Sequence, residues 1–304
     1  MVAGLRPLRE KTYNRAEGQS FELLEETAQS MSQTTQLLCS TGAFSRYPDH
    51  TGYQAIQKYG PGLRVDGFEV MFYPAWYGDG QHIATELRAT RLRFPAMHAE
   101  KNIGTTLGQA DPALRERGIQ MLKENCQLGN LLGCKLIILH LWNWPELDDD
   151  LEKNLSTLGQ CYDTAARYNM ELALEAIPGR HFDPLTNLHR ALGRDVRSHF
   201  ALDTEFLYNY GQLETVFETP WLWENNRLHH VHIKDSLGQP FINEQRVYLH
   251  PGEGCIDFAH FFEQLREKNF IGNISLESPA LTKDDEVNVE QLQNSLDFLR
   301  AMLY

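Results

Sequence analysis

Cysteine is scarce and unpatterned in this chain. The five thiols, Cys39, Cys126, Cys134, Cys161 and Cys255, are odd in number, widely spaced and include no C-x-x-C. This excludes a disulfide-stapled secreted scaffold and points to structural thiols in a reducing cytoplasm. Long apolar runs are also missing: none reaches the ~18 residues that a membrane-spanning helix needs. Residues 1–36 interleave Arg6, Arg9, Lys11 and Arg15 with Glu10, Glu17, Glu22, Glu25 and Glu26 and hold no apolar core, so they do not read as a secretory signal. Basic charge is in deficit, with 28 Lys and Arg against 41 Asp and Glu and a formal net charge of −13. Phosphate contacts need clustered Lys and Arg, so the balance argues against a nucleic-acid binder.

What is present is a repeat. Short apolar runs of strand length occur at 37–41 (LLCST), 68–72 (FEVMF), 94–98 (FPAMH), 136–140 (LIILH), 172–175 (LALE), 199–203 (HFALD), 230–233 (HVHI) and 274–277 (ISLE). Most are continuously apolar, as strands buried on both faces of a parallel sheet are. Amphipathic stretches lie between them. Asp111-Pro112 opens one that reaches Leu131, with a capping residue and then proline at the first helical position. Others span 151–168, 257–268 and 287–302, with weaker ones at 53–59, 184–192 and 212–224, the last interrupted by Pro220. Strand ends recur about every 34 residues, the length of one βα unit, and eight such units make a (β/α)₈ TIM barrel. No GxGxxG follows the first strand, which counts against a doubly wound open sheet. The reading is one barrel over residues 37–304, preceded by an N-terminal extension, 1–36, with a short helix expected over 21–28. Met31 stands just before the first strand, where an internal start would fall.

In a barrel of this kind the chemistry lies at the C-terminal ends of the strands. Here those ends carry His98, His140, Glu175, Asp203, His232 and Glu277, each closing an apolar run. Glu175, Asp203, His232 and Glu277 offer a mixed oxygen and nitrogen set suited to one divalent ion, Mn²⁺, Mg²⁺, Co²⁺ or Zn²⁺. Three carboxylates brought together repel one another without a cation.

These strand ends sit in segments that resemble a known family: LALEAIPG (172–179), FALDTEF (200–206), HHVHIKDS (229–236), HPGEGCIDF (250–258) and ISLES (274–278). Their order and spacing are similar to the xylose isomerase-like TIM-barrel superfamily, a group of sugar isomerases and epimerases that also contains endonuclease IV. The resemblance implies that Glu175, Asp203, His232 and Glu277 are metal ligands. In its epimerase branch it implies that Glu175 and Glu277 form the acid/base pair that moves a proton through a metal-stabilised enediolate. It places His98 and His140 against substrate, with a second metal or a purely structural role as the other options, and implies that Arg246 reaches a substrate oxygen and a neighbouring carboxylate, the alternative being a surface arginine. Lys234, directly after His232, is expected to hold an anionic substrate group or else to be solvated.

Trp142 and Trp144, with Tyr73, Trp76 and Tyr77, are expected at the mouth, where aromatic rings stack on sugars or simply pack loops. Asp148, Asp149 and Asp150 read as the acidic start of a helix, and Gly252-Glu253-Gly254 as a turn needing positive φ. Phe206 departs from the family, where Asp-x-x-His is common, because a phenyl ring cannot ligate. Arg246-Val247-Tyr248 stands where the endonuclease branch has Asp-x-His. These departures point away from nucleic acid and toward a cytoplasmic enzyme acting on a small sugar or sugar acid. A homo-oligomer is compatible with the family. The alternatives are a metal-dependent dehydratase or lyase of a cyclic keto acid or cyclitol, and a non-catalytic ligand-binding barrel.

Overall fold

The structure is a computed structural model in which residues 34–45, 52–143, 148–282 and 286–303 are described. The expected helix at 21–28, Met31 and Trp144 lie outside the described residues. Eight parallel strands close into a barrel: β1 (Gln36–Ser40), β2 (Gly67–Met71), β3 (Ala96–His98), β4 (Leu136–Leu139), β5 (Glu171–Glu175), β6 (His199–Asp203), β7 (Leu228–Ile233) and β8 (Asn273–Leu276). The ring is sealed where β1 pairs with both β8 (Leu37 with Ile274) and β2 (Leu38 with Gly67). Each expected strand is found, shifted by two residues or fewer at most ends. His140 and Glu277 fall just past the last residues of β4 and β8.

Side chains two apart on a strand share a face, and this period organises the barrel interior into layers. At one level Leu38, Ala96, Leu136, Ile138, Ala173 and Ala201 form a small apolar cluster of their own. Two residues further along their strands come His98, His140, Glu175 and Asp203, all buried. His230 with His232 and Ser275 with Glu277 keep the same two-residue step. The alternate residues, among them Leu139, Leu174, Leu202 and Ile233, belong to the main hydrophobic core with helix residues such as Leu122, Leu158 and Leu296. That double-sided burial is why the strands read as continuous apolar runs.

The helices expected from spacing are present: α1 (Tyr53–Tyr59), then, later in the chain, Pro112–Leu132, Leu151–Ala166, Pro184–Arg194, Phe258–Glu267 and Val289–Leu303. Aspartate caps recur. Asp111 accepts from the Ala113 N–H at 2.9 Å, Asp183 from Thr186 at 2.8 Å and Asp257 from His260 at 3.0 Å, each satisfying an otherwise unpaired first-turn donor. The stretch 212–224 divides, as Pro220 suggested, into a 3₁₀ turn (Thr215–Glu218) and a short helix (Pro220–Trp223). Three helices are additional to the expected ones: Gly80–Ala89, Asn102–Leu107 and Thr204–Asn209. Asn102–Leu107 contains Gly104 and two threonines, and Thr204–Asn209 runs directly out of β6, so neither announces itself by periodicity. No described helix is long and apolar enough to cross a membrane.

Two buried aspartates set the loops above the barrel. Asp148 does not serve the helix that begins at Leu151; its carboxylate accepts the backbone N–H groups of Arg180, His181 and Phe182 and the Nδ2 of Asn187, at 2.7–3.2 Å. The loop after β5 wraps so tightly that a Cβ on Gly179 would meet Asp148 Oδ2 at 2.5 Å. Asp235 does the same for the HPGEG segment, accepting from Gly252, Gly254 and Ile256 at 2.8–3.1 Å. Gly252 adopts φ +89°. Gly254 is needed for close approach, since its Cβ would lie 2.4 Å from Asp235 Oδ1. Glu253 is structural in this turn, with Oε2 2.8 Å from the His250 N–H.

All five cysteines are free, and Cys255 alone is exposed. Burial pushes the Cys126, Cys134 and Cys161 thiols up to about 12, and burial also raises Cys39. A chromogenic disulfide reagent is therefore expected to modify Cys255 rapidly in the native protein and all five thiols after denaturation. Fast native reaction of two or more thiols would contradict this packing.

Candidate active site

The six ionisable residues that close the strands all converge at the C-terminal end of the barrel. Glu175 is their hub. Its Oε2 lies 2.6 Å from His140 Nε2 and 3.0 Å from His98 Nε2, and its Oε1 lies 2.9 Å from His232 Nδ1. His98 also turns its Nδ1 to the Ala99 carbonyl at 2.7 Å, so both of its ring nitrogens face oxygen acceptors. Burial pushes His140 down to about 4 against the pull of Glu175, leaving a neutral ring that donates its Nε2–H at neutral pH. For Glu175, burial favours the protonated form, but His140 and His232 outweigh it and hold the carboxyl well below its usual range.

His232 bridges two carboxylates. Opposite its Nδ1 contact, its Nε2 is 3.0 Å from each oxygen of Glu69 on β2. Burial opposes a charged ring here, yet Glu69, Glu175 and Glu277 together raise His232 well above its ordinary value. Glu69 also lies 2.8 Å from His230 Nε2, a charge contact rather than an aligned hydrogen bond. Glu69 and His230 were not singled out as site residues from the sequence. The available signal was the period of two: His230 precedes the strand-end His232 by two residues and therefore shares its inward face.

On the other side of the cluster, Lys234 Nζ lies 2.6 Å from Asp203 Oδ2 and 2.6 Å from Glu277 Oε2. It is buried, so the expectation of a solvated lysine is corrected. Burial is outweighed for Glu277 by Lys234, His232 and Lys101, which hold it below its usual range. Asp203 goes the other way. Burial, with the neighbouring Glu175, Glu205 and Glu277 carboxylates, pushes it up to about 6 in spite of Lys234. Its Oδ1 caps the helix Thr204–Asn209 by accepting the Phe206 N–H at 3.1 Å, which leaves Oδ2 for the cluster. Ligand atoms of Glu175, Asp203, His232 and Glu277 all lie within 4.8 Å of one another.

Arg246 reaches the carboxylate that the sequence left unnamed. It pairs with Glu205 through two parallel contacts of 2.6 Å, and its guanidinium lies 4.4 Å from the Tyr248 ring centroid. Trp142 does not open onto the mouth. It is fully buried, with Nε1 donating to the Pro178 carbonyl at 2.9 Å, which corrects the expectation of a sugar-stacking ring. Tyr73 and Trp76 are likewise buried in rim packing, Tyr73 against Ser45 at 2.8 Å. His181, near the end of β5, is half-exposed and paired with Asp149.

Comparison with known proteins agrees with this architecture. Residues 50–302 match the family described as xylose isomerase-like TIM barrel, and the chain belongs to that family. An L-ribulose-5-phosphate 3-epimerase of Escherichia coli is 23% identical over 229 residues, 70% of this chain and 74% of that enzyme. Among solved structures, a D-allulose 3-epimerase from Methylomonas sp. aligns with a TM-score of 0.70 at 16% identity, covering 89% of this chain and 99% of its own. A 3-keto-D-glucoside 4-epimerase from Escherichia coli aligns at 0.65 with 18% identity, covering 88% and 100%.

The Arg246–Glu205 pair gives a direct test of how the rim is held. Replacing Arg246 by Met strands a buried carboxylate, which typically costs about 3–5 kcal/mol. Urea unfolding of Arg246→Met is expected to show that loss, and the double variant Arg246→Met/Glu205→Leu to recover most of it. An unchanged midpoint in the single variant would mean the pair is not structural.

Proposed function

We propose that this chain is a divalent-metal-dependent sugar isomerase or epimerase that moves a proton between neighbouring carbons of a small sugar or sugar acid. The observation that carries this reading is the convergence of Glu175, Asp203, His232 and Glu277, contributed by four adjacent strands, on one buried point. The donor set fits an ion. Four buried carboxylates, Glu69, Glu175, Asp203 and Glu277, are opposed by two buried cationic groups, His232 and Lys234, so negative charge is in excess. Asp203 is pushed up to about 6, first by its burial and then by the neighbouring carboxylates. Three oxygens and one imidazole nitrogen suit Mn²⁺, Mg²⁺, Co²⁺ or Zn²⁺.

A divalent ion held there supplies Lewis acidity, polarising a substrate carbonyl and making the adjacent C–H easier to ionise. The protein's own groups do the rest. Glu175 and Glu277 are both kept ionised by their neighbours, so either can take a proton from the substrate, and the other returns one only after taking up a proton itself from solvent or from a substrate hydroxyl. His98 and His140 fix the orientation of the Glu175 carboxylate from two sides. Glu69 occupies the Nε2 of His232, so on binding an ion the ring would keep its proton on Nε2 and offer Nδ1 as the ligand. The names of the related proteins, epimerases of ribulose phosphate, allulose and a keto-glucoside, support a sugar substrate. Net charge of −13 and Phe206 in place of a further ligand support a small molecule over nucleic acid, in a cytoplasmic setting.

The decisive experiment is solvent deuterium incorporation into a panel of ketoses, ketose phosphates and sugar acids by metal-stripped and reloaded protein. Exchange and epimerisation are expected only after reloading, and Glu175→Gln and Glu277→Gln, still metal-bound, are expected to lose both by at least ~10²-fold. Wild-type turnover by either variant would sink the assignment. Glu69→Leu is expected to weaken metal binding, read by calorimetry, about 10–100-fold; unchanged affinity would remove Glu69 from the site.

A further inference from the structure

Lys234 occupies an unusual position for a lysine next to an ion site. Its ammonium contacts two of the four proposed ligands, Asp203 and Glu277, at 2.6 Å each, and it contacts them through oxygens facing the shared point. For Asp203 the contacted oxygen is Oδ2, while Oδ1 accepts the Phe206 N–H. The backbone of Lys234 is pinned by Thr204, whose Oγ1 donates to the Lys234 carbonyl at 2.6 Å and accepts the Lys234 N–H at 3.0 Å. The strand position is therefore fixed, and any adjustment of the ammonium occurs by rotation of its four-carbon stem. The ammonium already lies over the Phe206 ring, with Nζ 4.8 Å from its centroid, and an aromatic face supports a cation without drawing on the ligand oxygens.

We infer that Lys234 is a resident cation of this site, which holds Asp203 and Glu277 together in the metal-free chain and yields them to a divalent ion by rotating its stem off their oxygens while keeping its contact with the Phe206 ring. The inference rests on the reading of Glu175, Asp203, His232 and Glu277 as an ion site. It also gives Phe206 a role. A histidine at that position would compete for the ion; a phenyl ring instead retains the cation that the ion displaces from the carboxylates. Two consequences follow from charge alone. The metal-free ligand set is kept from flying apart by an internal counter-ion, and the ion binds more weakly than the bare ligand set would allow, because each binding event must replace two ammonium contacts.

The test compares wild type with Lys234→Met and Lys234→Gln, all metal-stripped. Calorimetric titration with Mn²⁺ is expected to show at least ten-fold tighter binding in both variants. Thermal melting of the metal-free variants is expected to fall below wild type and to be restored by Mn²⁺. In wild type, the side-chain ¹⁵Nζ resonance of Lys234, protected from exchange by its burial, is expected to shift or broaden when one equivalent of Zn²⁺ is added. Equal or weaker Mn²⁺ binding in the variants overturns the inference. So does tighter binding accompanied by an unmoved Nζ resonance, which would show the ammonium staying in place. If the variants do not fold, the wild-type resonance decides alone. If neither wild type nor a folded variant takes up Mn²⁺ or Zn²⁺ at this point, the ion-site reading itself fails, an outcome distinct from both of these.

Discussion

Burying a carboxylate costs several kcal/mol unless a partner compensates it, and the central cluster of this barrel buries Glu69, Glu175, Asp203 and Glu277 together. The geometry of the whole site can be understood as the solution to that problem. Glu69 is answered by His230 and His232, Glu175 by His98, His140 and His232, Asp203 by the ammonium of Lys234, and Glu277 by Lys234 with His232 and Lys101 farther off. His232 appears in three of these sets and Lys234 in two, so the pairs form one network rather than several. In a network of this kind the contributions of single residues do not add. The residues proposed to perform chemistry are also the residues that make their own burial tolerable.

The same device, a buried carboxylate answered by several donors, recurs outside the cluster with a different purpose. Asp148 and Asp235 are satisfied largely by backbone N–H groups, so they fix the path of the chain above β5 and β7 rather than its charge. Gly179 and Gly254 are required there because the loops approach these carboxylates too closely for a side chain. The LALEAIPG and HIKDS…HPGEG segments thus each combine an inward group, Glu175 or Lys234, with a loop clamp. A rigid rim keeps the converging side chains in register and limits the entropy lost when a substrate binds.

The barrel was legible in the sequence because its signal is repetitive: eight apolar runs at nearly constant spacing, six with an ionisable residue at their last or next-to-last position. Position along the strand was enough to place His98, His140, Glu175, Asp203, His232 and Glu277 on one rim. What escaped was whatever depends on facing a particular neighbour. Glu69 sits inside an apolar run, FEVMF, and nothing local says that it lies opposite His232 across 163 residues of chain. Lys234 was expected to meet a substrate anion, yet the nearest anions turned out to be the protein's own. Trp142 looked like a mouth residue because it follows a strand end, but the chain folds back and buries it beneath the Pro178 carbonyl. The short helices Asn102–Leu107 and Thr204–Asn209 are fixed by capping and by tertiary packing, and six residues are too few to show a period.

Phe206 shows how such a site can change without being rebuilt. Its backbone N–H, not its side chain, is what Asp203 Oδ1 needs, and any residue except proline supplies that bond. The helix that follows β6 is therefore capped whether the third residue after Asp203 is a histidine or a phenylalanine. The side chain is left free to determine what surrounds the ligand set. With an imidazole there, the surroundings gain a further donor to a metal or a substrate hydroxyl. With a phenyl ring there, they gain an apolar face beside the Lys234 ammonium. Asp203 keeps its capping bond through either choice, so the surroundings of the four converging residues can change while those residues do not.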